Sequence, residues 1–318
     1  MKDFVHLHLH TEYSLLDGAA RIDRLFAACK EKGMKAVAMT DHGCMYGAVK
    51  FYFQAEKYGI KPIYGCEFYV CRDMHDKKSK SDYHHLVLLA KDEVGYKNIV
   101  KLDSLAYTEG FYYKPRIDMK LLAEHTKGVV CLSACLAGEL PQLLLKNDYD
   151  GAKAAAIRMR DMFEPGDFYI EIQDHGIEEQ RYTNPQLIQI AREIGVKVVA
   201  TNDVHYIEKA DAEMHDVLLC IQTGRYIDDP DRMKFDSDEF YLKTYDEMAE
   251  KFGYIPEALE VTNEIADKCN YKLRFKQDLI PNYVPENGQT PRDFLHDLAY
   301  AGIKRRYPDM TPEIMERL

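Results

Sequence analysis

From Arg21 onward the sequence alternates between two periodicities, and this alternation limits the possible folds more than any other feature of the chain. Ile22, Leu25, Phe26 and Cys29 recur at the spacing of one helical face, Gly33 supplies a stop, and KAVAMT follows as a short buried strand ending at Asp41. The order then repeats: a helix over 49–58, strands KPIYGCEFYV and HLVLLA, a helix over 96–107, strand GVVCLSA, a helix over 151–163, strand DFYIEI, a helix over 185–194 and strand VKVVAT. Short apolar strands interleaved with helices predict an α/β fold, either a barrel or a doubly wound sheet.

The polar residues stand at particular places in this pattern. Asp41 and His42 follow one strand, Glu67 lies within another, Cys135 follows a third, and Asp203 and His205 follow a fourth. Parallel α/β folds gather their sites at the carboxyl ends of strands, where loops from several strands converge. His84 and His85 fit less neatly, because they begin their strand.

With 318 residues the chain can bury a large core as one barrel or two smaller domains. A net charge of -11 is a poor match to a stand-alone nucleic-acid binder, so contact with nucleic acid would be local, metal-assisted or supplied by another module. The first twenty residues lack an apolar leader core, and no later run reaches the roughly 18 apolar residues of a membrane span. The expectation is a cytoplasmic protein with no membrane partner, whose eight dispersed cysteines are reduced thiols. After about Arg274 prolines at 281, 285, 291, 308 and 312 break the alternation, and one amphipathic helix over 292–307 follows.

The opening run HLHLHTEYSLLDG places His6, His8 and His10 two residues apart, on one face if the segment is a strand. Three imidazoles on one face suit a metal, although His6 could equally be a hydrogen-bonded core residue. Adding the strand-end residues gives His8, His10, Asp17, His42, Glu67, His84, Cys135, Asp203 and His205. That mixture of imidazole, carboxylate and thiol suits zinc, manganese or iron better than calcium. It exceeds the needs of one ion and points to two or three divalent ions with Glu67 as a bridge.

The stretches HLHLHTEYSLLDGAA, AVAMTDHGCMYGAVKFY, GCEFYV, GFYYKPRID, CLSACLAGEL, FYIEIQDHG, ATNDVHY and FDSDEFYLK, in that order, resemble the polymerase-and-histidinol-phosphatase (PHP) superfamily. Within it they are most similar to the PHP domain of bacterial DNA polymerase III alpha subunits. The resemblance implies a distorted (β/α)7 TIM-like barrel over 1–275, with a metal cluster at the C-terminal ends of the strands. The tail over 276–318 would be a connector into a polymerase palm, whose own aspartates lie outside this chain.

Carried over by position, the resemblance assigns His8, His10 and Asp203 with bridging Glu67 to one ion. Glu67, His84 and Cys135 go to a second, and Asp17, His42 and His205 to a third. His84 and His85 compete for one position, and the resemblance selects His84. Asp17, Asp203 and His205 would be closest to the chemistry, while His6 and Asp41 would support and orient the ligands. Lys114 and Arg116 in YYKPRID would contact a substrate phosphate or pair with acids on a solvated surface. Tyr13 and His175 are weaker candidates.

The implied activity is metal-dependent phosphodiester hydrolysis, as a 3′-5′ proofreading exonuclease. The implied partners are a single-stranded DNA 3′ end, the remainder of a polymerase alpha chain and, through that remainder, replisome subunits such as the sliding clamp. Two other readings compete. One is a silent module bracing the polymerase or docking a proofreading subunit, and the other is a free-standing phosphatase acting on a small phosphomonoester.

Overall fold

The computed structural model describes residues 3–15, 17–80, 82–276 and 280–318. It divides into two units, Met1–Leu273 and Arg274–Leu318. The larger carries a curled seven-stranded sheet of β1 (Ala36–Met39), β2 (Lys61–Cys71), β3 (His84–Ala90), β4 (Arg116–Asp118), β5 (Val129–Leu132), β6 (Phe168–Ile172) and β7 (Lys197–Ala200). The order is β1-β2-β3-β5-β6-β7, with β4 paired to β2.

The N-terminal segment spans the gap between the two ends of this sheet. The amides of Ala38 and Thr40 donate to the carbonyls of His6 and Leu9, while on the other side His10 N donates to Val204 O and Val204 N to His8 O. A sheet joined to itself in this way has an inside and an outside. Leu7, Ala38, Ile63, Val87, Leu89, Val130, Leu132 and Val199 pack together on the inner face. Cys66, Phe68, Leu86 and Leu88 belong to a second apolar layer with α1 (Ile22–Glu31), α2 (Ala48–Tyr58) and α3 (Glu93–Thr108).

One strand departs from the parallel run of its neighbours. β3 runs antiparallel to both β2 and β5, whereas β1–β2, β5–β6 and β6–β7 are parallel. This reversal puts the beginning of β3 at the rim where the other strands end, so a histidine opening its strand can still join the site. Register then decides which one. Tyr69 pairs with His85 and Val70 with His84, so His85 shares the face of Glu67 and Tyr69 while His84 shares that of Phe68 and Val70.

A second departure is the helix read from sequence over 185–194. It is α7, Glu178–Ile194, with Pro185 inside it. Its first two turns turn Gln180, Thr183 and Asn184 inward, polar residues that a hydrophobic period cannot register. Asn184 donates to the carbonyl of Gln173, and the Gln180 side chain accepts from the amide of His175, so both are satisfied where they are buried.

The remaining helices of this unit are α4 (Met119–Ala123), α5 (Glu139–Leu145), α6 (Tyr149–Met162), α8 (Ala212–Thr223), α9 (Tyr245–Phe252) and α10 (Glu257–Lys268). The smaller unit holds α11 (Pro291–Arg306) and α12 (Pro312–Arg317), each opened by a threonine whose hydroxyl accepts a first-turn amide. Among the described residues, no helix is long and apolar enough to cross a membrane.

Candidate metal centre

The cluster grows from the segment that closes the sheet. The chain bends at His8, and this breaks the strict alternation expected of a strand. Val5 and Leu7 enter the inner core. His6 does not join His8 and His10: its Nε2 donates to the carbonyl of Lys243 at 2.8 Å and its ring lies edge-on to Phe4. Burial pushes its pKa down to about 4, so it is a neutral core residue at neutral pH. The one-face expectation therefore holds for His8 and His10 and fails for His6.

His8 Nε2 lies 3.2 Å from both Glu67 Oε1 and Asp203 Oδ1, and His10 Nε2 lies 3.1 Å from Asp203 Oδ1. His42 Nδ1 is 2.6 Å from Glu67 Oε2, and its Nε2 is 3.4 Å from Asp17 Oδ2. His85 Nδ1 is 3.0 Å from Glu67 Oε1 and 3.7 Å from Cys135 Sγ. His10 stacks on His42 with ring centroids 4.0 Å apart, and His205 lies 4.4 Å from His10. Three sets of donor atoms each fall within 4.8 Å of one another: His8, His10 and Asp203; His10, His42 and His205; and His42, Glu67 and His85.

What stands behind these rings fixes their tautomers. Glu171 Oε1 can only accept from His8 Nδ1, at 2.6 Å. Ser14 spends its hydroxyl hydrogen on Asp41 Oδ1 at 2.9 Å, so it accepts from His10 Nδ1 at 3.0 Å. The carbonyl of Asp203 accepts from His205 Nδ1 at 2.8 Å. In neutral rings the Nε2 lone pairs of His8, His10 and His205 are thereby left free. Those of His8 and His10 face buried carboxylate oxygens without a hydrogen bond. Lone pairs opposed to carboxylates at this range require positive charge between them, and imidazoles oriented through Nδ1 by carboxylates and carbonyls are the arrangement of metal ligands.

The electrostatics point the same way. Burial favours a protonated Glu67, yet the imidazoles of His85, His42 and His8 override it and hold the carboxyl well below the usual carboxylate range. Burial would likewise lower His42, but Glu67 and Asp17 raise it to about 9. Burial, with Glu67 and Asp203 adding to it, pushes the Cys135 thiol well up, so only a cation beside it would favour the thiolate. Asp203 at φ 43° and Ala134 at φ 67°, the neighbour of Cys135, both hold a left-handed backbone that is unfavourable for side-chain-bearing residues and is retained most often at functional sites.

The residues brought together are thus His8, His10, Asp17, His42, Glu67, Cys135, Asp203 and His205 from the sequence expectation, with His85 in place of His84. His84 turns to the opposite face of β3, against a cavity of about 280 Å³ that Arg72, Asp82 and Glu139 also line. Asp41 reaches His10 through Ser14, whose hydroxyl lies between them. Arg116 corrects its expectation: it is buried, and its guanidinium donates to the carbonyls of Gly110, Met74 and Asp76, which leaves it a structural tie and no phosphate contact. Lys114 lies over the Tyr69 ring, 5.1 Å from its centroid. His175 stacks on Phe240 and bonds to Asn202 O, away from the ligand atoms. Tyr13 contributes packing and a carbonyl that accepts from Cys44.

Sequence reading missed Glu171 and His215. Glu171 holds His8 and also accepts from Gln173 at 2.9 Å and from Thr201. Its signal was present: a lone carboxylate in the apolar strand FYIEI needs a partner when buried. His215, on α8, donates to the carbonyl of Asp17 at 2.8 Å and steadies the loop that carries it.

The PHP domain family matches residues 6–175. DNA polymerase III subunit alpha of Borreliella burgdorferi is 43% identical over 99% of this chain and 28% of that protein. The same subunit of Treponema pallidum is 44% identical over 99% and 27%, and that of Thermus aquaticus 44% over 99% and 27%. The chain spans little more than a quarter of the length of these relatives.

Proposed function

The chain belongs to the PHP domain family, and from that premise we propose that it is the PHP portion of a replicative polymerase alpha chain, hydrolysing phosphodiesters to release nucleotides from a single-stranded DNA 3′ end. The observation that carries the proposal is the set of imidazoles oriented through Nδ1, with free Nε2 atoms converging on Glu67 and Asp203. Its ligands would be His8, His10, Asp203 and Glu67 for one ion, Glu67, His85 and Cys135 for a second, and Asp17, His42 and His205 for a third.

Two or three divalent ions, zinc, manganese or iron by the donor mix, would supply a water of lowered pKa and offset charge building on the phosphoryl oxygens. The protein's own contribution is orientation. Glu171, Ser14 with Asp41, and the Asp203 carbonyl lock three rings so that no rearrangement is needed when a phosphodiester arrives. Glu67 touches His8, His42 and His85 at once, which suits it to bridge. The wider partners in this reading are the remainder of the alpha chain and, through it, replisome subunits such as the sliding clamp.

The test is release of 3′ nucleotides from a labelled single-stranded oligonucleotide by this chain with manganese added, run beside 4-nitrophenyl phosphate. Oligonucleotide cleavage that Asp203→Asn abolishes while the circular dichroism melt persists supports the proposal. Cleavage of the monoester alone would make the chain a small-molecule phosphatase, and metal binding with neither reaction would make it a bracing module.

A further inference from the structure

Beside the cluster stands a surface that the hydrolytic chemistry does not use. Tyr69 packs against two of the cluster's imidazoles, with centroids 6.1 Å from His42 and 5.2 Å from His85. Tyr83 meets Tyr69 edge-on at 5.0 Å and lies nearly parallel to His85. Lys114 Nζ sits over the Tyr69 ring, 5.1 Å from its centroid. The next residue, Pro115, abuts Gly43, where a Cβ would come within 2.6 Å of the proline ring, so the hairpin carrying Lys114 is seated directly against the strand end that carries His42.

Tyr113, at the tip of that hairpin, has φ 61° and is 57% exposed. A bulky aromatic residue in the left-handed region is uncommon, and one that gains no burial from it calls for another reason. Tyr112 N donates to Lys114 O at 3.1 Å and closes the turn beneath it. Lys80 Nζ stands 4.2 Å from the Tyr113 ring centroid.

Arg116 ties the two pieces together by donating to Gly110 on one side and to Met74 and Asp76 on the other. The segment so held, residues 72–80, contains Arg72, Lys77, Lys78 and Lys80 against Asp73 and Asp76, a basic spot in a chain of net charge -11. An exposed aromatic ring flanked by lysines, next to a phosphoester site, is the chemistry that holds a single strand: rings take bases by stacking and ammonium groups take phosphates. A small phosphomonoester would use neither.

We infer that the Tyr112–Lys114 hairpin and the basic segment tied to it form a ledge for single-stranded nucleic acid, with Tyr113 stacking on a base and Lys114 and Lys80 taking backbone phosphates on the approach to the cluster. The inference rests on the hydrolytic reading for the direction of the strand, but the ledge binds with or without cleavage. The experiment measures anisotropy of a labelled oligothymidylate with the full chain and with Tyr113→Ala, Tyr113→Phe and Lys114→Ala, alongside kcat/KM on the oligonucleotide and on bis(4-nitrophenyl) phosphate.

Tyr113→Ala weakens oligonucleotide binding about tenfold, the loss of one stacked base. Tyr113→Phe stays within about twofold because its ring stacks as well, and Lys114→Ala reduces the salt dependence by about one phosphate contact. In Tyr113→Ala, kcat/KM on the oligonucleotide falls about tenfold further than on the small diester. Equal losses on both substrates, tight binding by Tyr113→Ala, or no binding of the oligonucleotide by the parent chain would overturn the ledge. Binding without hydrolysis of either substrate would instead remove the hydrolytic reading and leave the ledge standing.

Discussion

At the scale of single residues the site is a matter of which way a side chain points. The choice between His84 and His85 illustrates it. Each is a competent ligand by type, and they are adjacent, so a one-residue error moves the imidazole to the other face of the sheet. Hydrophobicity could not settle it, because Leu86, Val87, Leu88 and Leu89 are all buried and strand β3 has no polar face. Only the pairing of Tyr69 with His85 does. The expected result is that His85→Ala lowers oligonucleotide hydrolysis at least about 100-fold, more than loss of an outer hydrogen-bond partner would. His84→Ala stays within about twofold, since its side chain lies on the face of β3 opposite Glu67. A larger loss in His84→Ala than in His85→Ala in steady-state assays would return the ligand role to His84, and equal losses would remove the distinction drawn here from strand register.

At the scale of elements, the order of helices and strands was legible because most strands are short apolar runs bounded by breakers. What was not legible follows from two physical facts. Strand direction leaves no mark on a fully buried run, which hid the reversal of β3. A helix whose inward residues are Gln180, Thr183 and Asn184 has no hydrophobic period in its first turns, which hid the start of α7. Nor could sequence reveal the cost carried by α3. Its Asp103 has a buried Oδ1 with no hydrogen bond, and burial raises its pKa to about 7, with the amide of Met45 opposing only in part. The folded state therefore holds this proton more tightly than the unfolded one. Between the ordinary carboxylate range and pH 7 the native state binds more protons, so the contribution of Asp103 to stability falls as pH rises across that window. Asp103→Asn is expected to melt above the parent chain at pH 8, with the gap closing as pH drops toward 4. A gap that does not change with pH in thermal melts would show that Asp103 does not titrate in this way.

At the scale of the whole molecule, the nine ligand-type residues come from positions as far apart as His8 and His205, and the closed sheet is what gathers them. His6 and Leu9 accept from Ala38 of β1 and from Thr40 just past it, while His8 and His10 pair with Val204 after β7, so the stretch that completes the barrel is also the stretch that begins the cluster. Burying Glu67, Asp203 and Glu171 beside five imidazoles stores unfavourable desolvation that bound cations would offset. Ion binding and stability are then linked. Chelation followed by a calorimetric scan is expected to lower Tm by about 5 °C or more, and restoring manganese or zinc to recover it. The sequence supplied the ligand types and the resemblance supplied their grouping. The supports behind them, Glu171 and His215, became visible only with the strands in place.

Hydrolysis at this site requires that these residues hold ions, and elemental analysis of the chain purified without added metal tests that most directly. Two to three divalent ions per chain, with fewer in Asp203→Asn, is the predicted result. Metal-free protein that takes up no zinc, manganese or iron when they are supplied would contradict it.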